Sequence, residues 1–226
     1  MKTTVLTCLL FANAAASTAF AQSTAVYDAT FGSAASPWVV GTESAETLNV
    51  PGFDPSLGRL TAVEITLTAT AGGSVTVINF TEKPQGFANA TASMTASVTG
   101  PGATTVSASP AATDPSGVAL GPKFNVSNFG TVSGTVSRSV NVSSEHFSLY
   151  EALGGGLIAL AVKSSSQGTY SGTGGLGDIG FSGTADIFGD VKVAYTFTTI
   201  PEPSAFAVVL SSIVFSVALV RRRQST

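Results

Sequence analysis

Three reactive side chains are almost missing from this sequence. It holds one cysteine, one histidine and one tryptophan among 226 residues. The cysteine is Cys8, close to the N-terminus. Everything after it has no thiol, which excludes disulfides, a cysteine nucleophile and thiolate metal ligands. Stability must then come from an apolar core, and an apolar content of 44% is enough to build one. The histidine, His146, stands in Glu145-His146-Phe147. Any Ser-His-Asp system would have to be built on it, and no G-x-S-x-G elbow accompanies it. A loop or surface histidine is the expected reading. Charge is scarce too, at 10% of residues against ~25% in an ordinary soluble domain. Nucleic acid is an unexpected partner, because a phosphate backbone needs clustered Lys and Arg, and here the basic residues of the body stand singly.

The charges that exist are unevenly placed. Of the 10 basic residues, Lys2 lies at the N-terminus and Arg221, Arg222 and Arg223 close the chain, leaving six in residues 22–200. Of the 13 acidic residues only Glu202 falls outside that stretch, leaving twelve. The body is therefore mildly acidic, which favours solubility.

Both ends carry membrane signals. Residues 1–21 have the three parts of a secretory leader: Lys2, the apolar stretch Val5 to Phe11, then small residues ending in Ala19-Phe20-Ala21. Signal peptidase is expected to cut between Ala21 and Gln22. The apolar stretch is too short to span a bilayer. At the other end, Pro201-Glu202-Pro203-Ser204 precedes Ala205 to Val220, which is apolar except for three serines, and Arg221 to Arg223 follow. With its flanks, such a run just crosses a hydrocarbon core of ~30 Å as a helix. Pro201 and Pro203 mark its start, since neither fits a helix interior. The arginines place the C-terminus in the cytoplasm and residues 22–200 outside.

The order Pro-Glu-Pro, single helix, arginine cluster resembles the PEP-CTERM sorting signal over residues 200–223. Such tails occur on exported proteins of Gram-negative bacteria that make exopolysaccharide. The resemblance implies that an exosortase recognises Pro201, Glu202 and Pro203, with Arg221, Arg222 and Arg223 as the basic end. It also implies a location at the membrane, then at the cell surface or in the extracellular matrix, with exopolysaccharide as a potential partner.

Between the signals the pattern is β. Val63, Ile65 and Leu67 alternate with Glu64, Thr66 and Thr68, and Val191, Val193, Tyr195 and Phe197 alternate with polar or small residues. Val132, Val136, Val140 and Val142 continue the theme, and a strand is expected to begin at Val75 after a break at Gly72-Gly73. Pro51-Gly52, Asp54-Pro55, Pro101-Gly102, Asp114-Pro115 and Gly121-Pro122 punctuate the chain with turns. The expectation is an all-β domain over residues 22–199, an antiparallel sandwich of jelly-roll-like type, with a leader at 1–21 and a sorting tail at 200–226. Ser144 to Leu153 is expected to form one or two helical turns capped by Ser144. Residues 84–117, rich in Ala, Ser, Thr and Pro, read as a polar sheet edge or a long loop.

Phe53-Asp54-Pro55-Ser56-Leu57-Gly58-Arg59-Leu60-Thr61-Ala62-Val63 is similar to a segment of the choice-of-anchor E family. Those are extracellular β domains that occur with alternative C-terminal anchors. Read physically, Asp54-Pro55 starts a turn, Gly58 takes a backbone shape other residues resist, and Leu60 opens a core strand. The motif is structural in this reading, and the resemblance implies no activity.

Candidates for chemistry are weak. Glu43 with Glu46, and Glu145 with Glu151, are carboxylate pairs by separation alone; solvated residues are expected. Asp178, Asp186 and Asp190 invite a calcium reading, but their spacing matches neither an EF-hand nor a nonapeptide repeat, so turn residues are expected and no metal site is assigned. Gly154 to Gly156 and Gly172 to Gly175 read as turns or crossings, not phosphate loops. Asn79, Asn89, Asn125 and Asn141 head Asn-x-Ser/Thr sites, meaningful only in a host that glycosylates its surface proteins. Trp38, Tyr27, Phe31 and Phe53 are a candidate sugar platform, with core packing preferred. The sequence therefore points to a non-enzymatic surface or matrix protein without cofactor, with a carbohydrate-binding module as the alternative.

Overall fold

Alternation of apolar with polar residues builds nearly every element of the molecule. The computed structural model describes residues 21–39, 44–165, 169–174 and 179–200, with 130–132 and 169 through their backbone. Twelve strands follow among them: β1 (Gln22–Phe31), β2 (Trp38–Val39), β3 (Ala45–Pro51), β4 (Gly58–Asn79), β5 (Gln85–Ser93), β6 (Ala96–Thr99), β7 (Thr105–Ala108), β8 (Ala111–Leu120), β9 (Asn125–Asn141), β10 (Leu157–Ser164), β11 (Thr169–Gly174) and β12 (Ile179–Thr199). All sheet pairings between them are antiparallel.

The first layer has the order β1-β12-β4-β9, with β2 added to β12. Its long strands turn Val63, Ile65, Leu67, Ala69, Val75, Val77, Ile187, Val191, Val193 and Tyr195 inward, none more than 1% exposed. Each large aliphatic side chain so buried contributes about 1.5–3 kcal/mol. The opposite face is a field of hydroxyls. Thr68 meets Ser137, and Thr70 meets Thr135, across β4 and β9.

The second layer is two sheets laid end to end, β3-β10-β6-β7 and β11-β5-β8. The chain runs from one into the other three times, because β5 leads to β6, β7 to β8 and β10 to β11. The break falls at Thr95, Ser109-Pro110 and Ser165. Pro110 has no N–H to give to a ladder. Hydroxyls take over across the gap: Ser165 N donates to Thr95 O at 2.8 Å, Thr95 N donates to Ser165 Oγ at 3.2 Å, and Thr95 Oγ1 lies 2.8 Å from Ser109 Oγ. Met94 plugs the gap from inside, a role its flexible thioether suits. One continuous core lies between the layers.

Four expectations are corrected here. Gly72-Gly73 is no turn, since β4 runs 22 residues straight through it. The pair is small because β12 crosses so closely that a Cβ on Gly73 would strike the Thr184 carbonyl oxygen. Residues 84–117 are not a long loop, and the edge expectation holds for β7 and β8, the terminal strands of their sheets. The stretch forms β5 to β8, with Phe87, Ala90, Ala92, Ala96, Val98, Val106, Ala108 and Ala112 buried. Next, the helical turn is a 3-10 segment over Ser144–Leu149 whose N-cap is Ser143. Last, Gly172 and Gly174 lie inside β11 and are not a hairpin turn.

Among the described residues no helix is long and apolar enough to cross a membrane. The expected leader, apart from Ala21, and residues 201–226, with Pro201, Glu202, Pro203 and Arg221 to Arg223, lie outside the described residues.

Candidate functional site

The register gives the domain two distinct ends. Gln22 pairs with Thr198, and Gly58 with Thr199, so the chain enters and leaves side by side. Ala21 O accepts from Thr199 N at 3.1 Å and from Thr199 Oγ1 at 3.3 Å. The expected leader junction, Ala21 and Gln22, thus adjoins the last strand residue before the expected sorting tail. Both Ala21 and Gln22 are exposed. Asn79 pairs with Ile179 and Asn125 at the far end of the same sheet. At ~3.3 Å per residue, β4 separates the two ends by roughly 70 Å of strand.

The end where the termini meet is closed by aromatic packing between the layers. Tyr195 on β12 is fully buried, and its hydroxyl donates to Pro51 O on β3 at 3.1 Å. Its ring lies 5.9 Å from Tyr27 and 6.0 Å from Phe53, which in turn lies 4.9 Å from Phe197. Burial pushes the Tyr195 phenol well above its ordinary range, and Tyr150 and Tyr27 add to the effect. Burial also raises Tyr150, whose hydroxyl donates to Pro101 O at 3.0 Å. In the preceding turn, Asp54 Oδ1 accepts from Ser56 N at 2.9 Å and caps the 3-10 segment Pro55–Leu57. That backbone bond holds the Asp54 carboxyl below the usual carboxylate range. Leu60 is buried, as the motif reading expects.

The far end is built differently. Asn79, fully buried, ties together the turn from β4 to β5 and the turn from β8 to β9. Its Nδ2 donates to Lys83 O at 2.8 Å and Gly121 O at 2.9 Å. Its Oδ1 accepts from Thr81 N at 2.9 Å and Thr81 Oγ1 at 2.7 Å. All polar atoms are satisfied, so this Asn-x-Thr site is a structural knot with no amide to spare for a sugar. Lys123 N donates to Thr81 O at 2.8 Å, and Lys123 Nζ lies 3.0 Å from Glu82 Oε1. Held this way, Lys123 and Phe124 both adopt left-handed backbone, with φ of 51° and 53°. Residues with a Cβ resist that shape by roughly 1–2 kcal/mol each. The turn presents Phe124, 70% exposed, edge-on to Phe80 at 5.8 Å. Ile78 and Val126 pair beside them on the outer face, and next along it the Thr76 hydroxyl donates to Asn128 Oδ1 at 2.7 Å. An exposed aromatic pair on a strained turn, flanked by a hydroxyl and an amide, is the best candidate binding surface of the described residues.

The other candidates fare as follows. His146 is half-buried against Gly102, and its Nε2 lies 3.7 Å from Glu145 Oε1 of the adjacent residue. Glu46, Glu145 and Glu151 are exposed, and Glu43 and Asp178 lie outside the described residues. Asp186 and Asp190 sit four residues apart on β12. Among the described residues no group of three His, Cys, Asp or Glu side chains is placed to hold a metal. Phe31 and Phe53 are buried. Trp38 and Tyr27 pack partly buried against the core, Trp38 at 5.0 Å from Phe31. Phe31 and Phe53 are thus core and Trp38 and Tyr27 pack against it, the packing preferred from the sequence. Asn89 Nδ2 donates to Thr173 Oγ1 at 2.8 Å, Asn125 Oδ1 accepts from Gly121 N at 3.0 Å, and Asn141 is exposed. Phe80 and Phe124 escape sequence reading because 44 positions separate them and neither lies in a motif.

No family model matches the chain, and no curated protein does. Among solved structures, it is loosely similar to that of the Gx strain of infectious bursal disease virus. The TM-score is 0.22 at 10% identity, covering 79% of this chain and 37% of the other. T=1 particles derived from infectious bursal virus give a TM-score of 0.18 at 14% identity, covering 80% of this chain and 41% of the other. The chain spans about two fifths of the length of either. A likeness that loose bears on neither fold nor function.

Proposed function

We propose that this is a non-enzymatic exported protein of the cell surface or exopolysaccharide matrix of a Gram-negative-type bacterium. The leader carries it out, a helix over Ala205 to Val220 holds it, and an exosortase recognises Pro201-Glu202-Pro203 and cleaves the tail. The observation that carries this reading is the order of the tail: Pro-Glu-Pro, one apolar run, then Arg221 to Arg223. The side-by-side placement of Ala21 and Thr199 supports it. A domain whose two junctions lie together at one end can be trimmed at both without unravelling a strand. Replacing Pro201, Glu202 and Pro203 with alanine is expected to leave the full-length chain in the membrane fraction of the native host. Unchanged distribution between membrane and medium would reject exosortase recognition.

A second reading, carbohydrate binding, is favoured by the Phe80–Phe124 pair. Aromatic faces suit the C–H faces of pyranose rings, and Asn128 and Thr76 stand near enough on the same face to supply hydrogen bonds. Phe124→Ala is expected to weaken binding to the host's exopolysaccharide by about tenfold, the scale of one exposed aromatic anchor. Because Phe124 is 70% exposed, the domain stays folded. Binding that is equally tight without Phe124, or absent from the unaltered protein, rejects this surface.

A further inference from the structure

The end where the chain leaves its last strand carries a second set of exposed apolar side chains. Leu57 is 51% exposed and directly precedes Gly58, which pairs with Thr199. Beside it stands the loop between Tyr150 and Leu157. Gly52 N donates to Gly156 O at 2.7 Å, and Ala152 N donates to Phe53 O at 2.8 Å, which locks the two segments together. That loop carries Leu153, 83% exposed, and leads into Leu157, the first residue of β10, 67% exposed. Its crest is Gly154-Gly155, both at positive φ, where an added Cβ would meet nothing within 4 Å. Leu149, at the end of the neighbouring 3-10 segment, is 48% exposed, and Ile200, the last described residue, is 61% exposed. Five large aliphatic residues therefore stand at the end from which residues 201–226 depart.

We infer that this leucine rim is a membrane-contact surface, lying in the headgroup region of the bilayer in which the tail helix is anchored. The inference rests on the tail reading above. Its occupant follows from where the chain goes. Only Pro201, Glu202, Pro203 and Ser204 separate Ile200 from the apolar run that begins at Ala205. Four residues span at most ~14 Å, so an anchored tail keeps this end of the domain at the bilayer surface. Exposed leucines there partition into the headgroup and acyl boundary. Asp54 and Glu151 stand on the same two segments together with exposed Arg59, so the charges largely offset and zwitterionic lipid is the suitable partner. The rim fixes the rod's bearing on the membrane and directs the Phe80–Phe124 tip away from it.

The test uses the full chain carrying Cys8→Ser, reconstituted in phosphatidylcholine vesicles that contain a shallow nitroxide-labelled lipid. A thiol-reactive fluorophore is placed on Leu153→Cys, on Leu157→Cys as a second rim position, or on Phe124→Cys at the far tip. The expected result is that the chain floats with the vesicles, that both rim labels lose about half their emission or more to the nitroxide, and that the tip label is unaffected. A chain that floats while both rim labels stay bright overturns the membrane-contact surface and leaves the anchor standing. A chain that does not float overturns the anchor and the surface with it.

Discussion

Tyr195→Ala is expected to destabilise the domain by about 4–8 kcal/mol, comparable with the whole stability of many domains. Tyr195 is fully buried and joins β12 in the first layer to β3 in the second. Its removal opens a cavity among Tyr27, Phe53 and their neighbours, which alone costs about 3–5 kcal/mol. It also leaves the Pro51 carbonyl without its donor, at about 1–3 kcal/mol if water cannot reach it. Tyr195→Phe keeps the ring and loses only the bond, so about 1–2 kcal/mol is expected. Denaturant unfolding, followed by the single tryptophan, measures both. A cost under ~1 kcal/mol for the alanine variant would mean that the layers are not joined there. The same residue sets an alkaline limit. Its pKa in the folded state is raised by burial, so the unfolded chain loses the phenolic proton first. Its contribution is complete below the unfolded tyrosine pKa of about 10 and is lost as pH rises above it. Tyr195→Phe should flatten that alkaline loss.

Gly58→Val is expected to cost at least about 3 kcal/mol or to prevent folding. Gly58 has φ of +158°, and a Cβ there would strike the Thr198 carbonyl oxygen. That atom belongs to the backbone of β12 and cannot swing away as a flexible side chain would. The control is Gly86→Ala, where the added Cβ meets nothing within 4 Å; a change within about 0.5 kcal/mol is expected there. Equal effects at the two glycines would refute the close-approach explanation. The contrast also bears on the Phe53 to Val63 segment. Asp54 caps, Gly58 lets β12 pass, and Leu60 starts the core side of β4, so each outstanding residue of the motif has a structural task.

The layers of the fold were legible where inward residues are large. Val63, Ile65 and Leu67, and Val191, Val193 and Tyr195, show a period of two that needs no tertiary knowledge. The pattern faded in β5 to β8 because the inward residues there are chiefly alanine, set among threonine and serine. Ala90, Ala92 and Ala96 are as buried as any valine, yet alanine barely stands out from its neighbours on an apolar scale. Gly72-Gly73 misled for a related reason. A glycine pair marks either a turn or a place where another backbone comes close, and only the partner strand tells which. The far tip was hidden because it depends on Asn79, which in the sequence only heads an Asn-x-Thr match, gathering two turns from distant parts of the chain. By contrast, the proposed leader and sorting tail are local patterns whose reading rests on the order of their residues, and that order is visible in the sequence.

The proposed life history comes down to which bonds of the chain are cut. The most direct measurement is the intact mass of the mature protein from its native host, taken from both membrane and medium. The expected mass lacks residues 1–21 and everything after the Pro201-Glu202-Pro203 region. A mass that still contains Arg221, Arg222 and Arg223 would contradict exosortase sorting and leave a plain single-helix anchor.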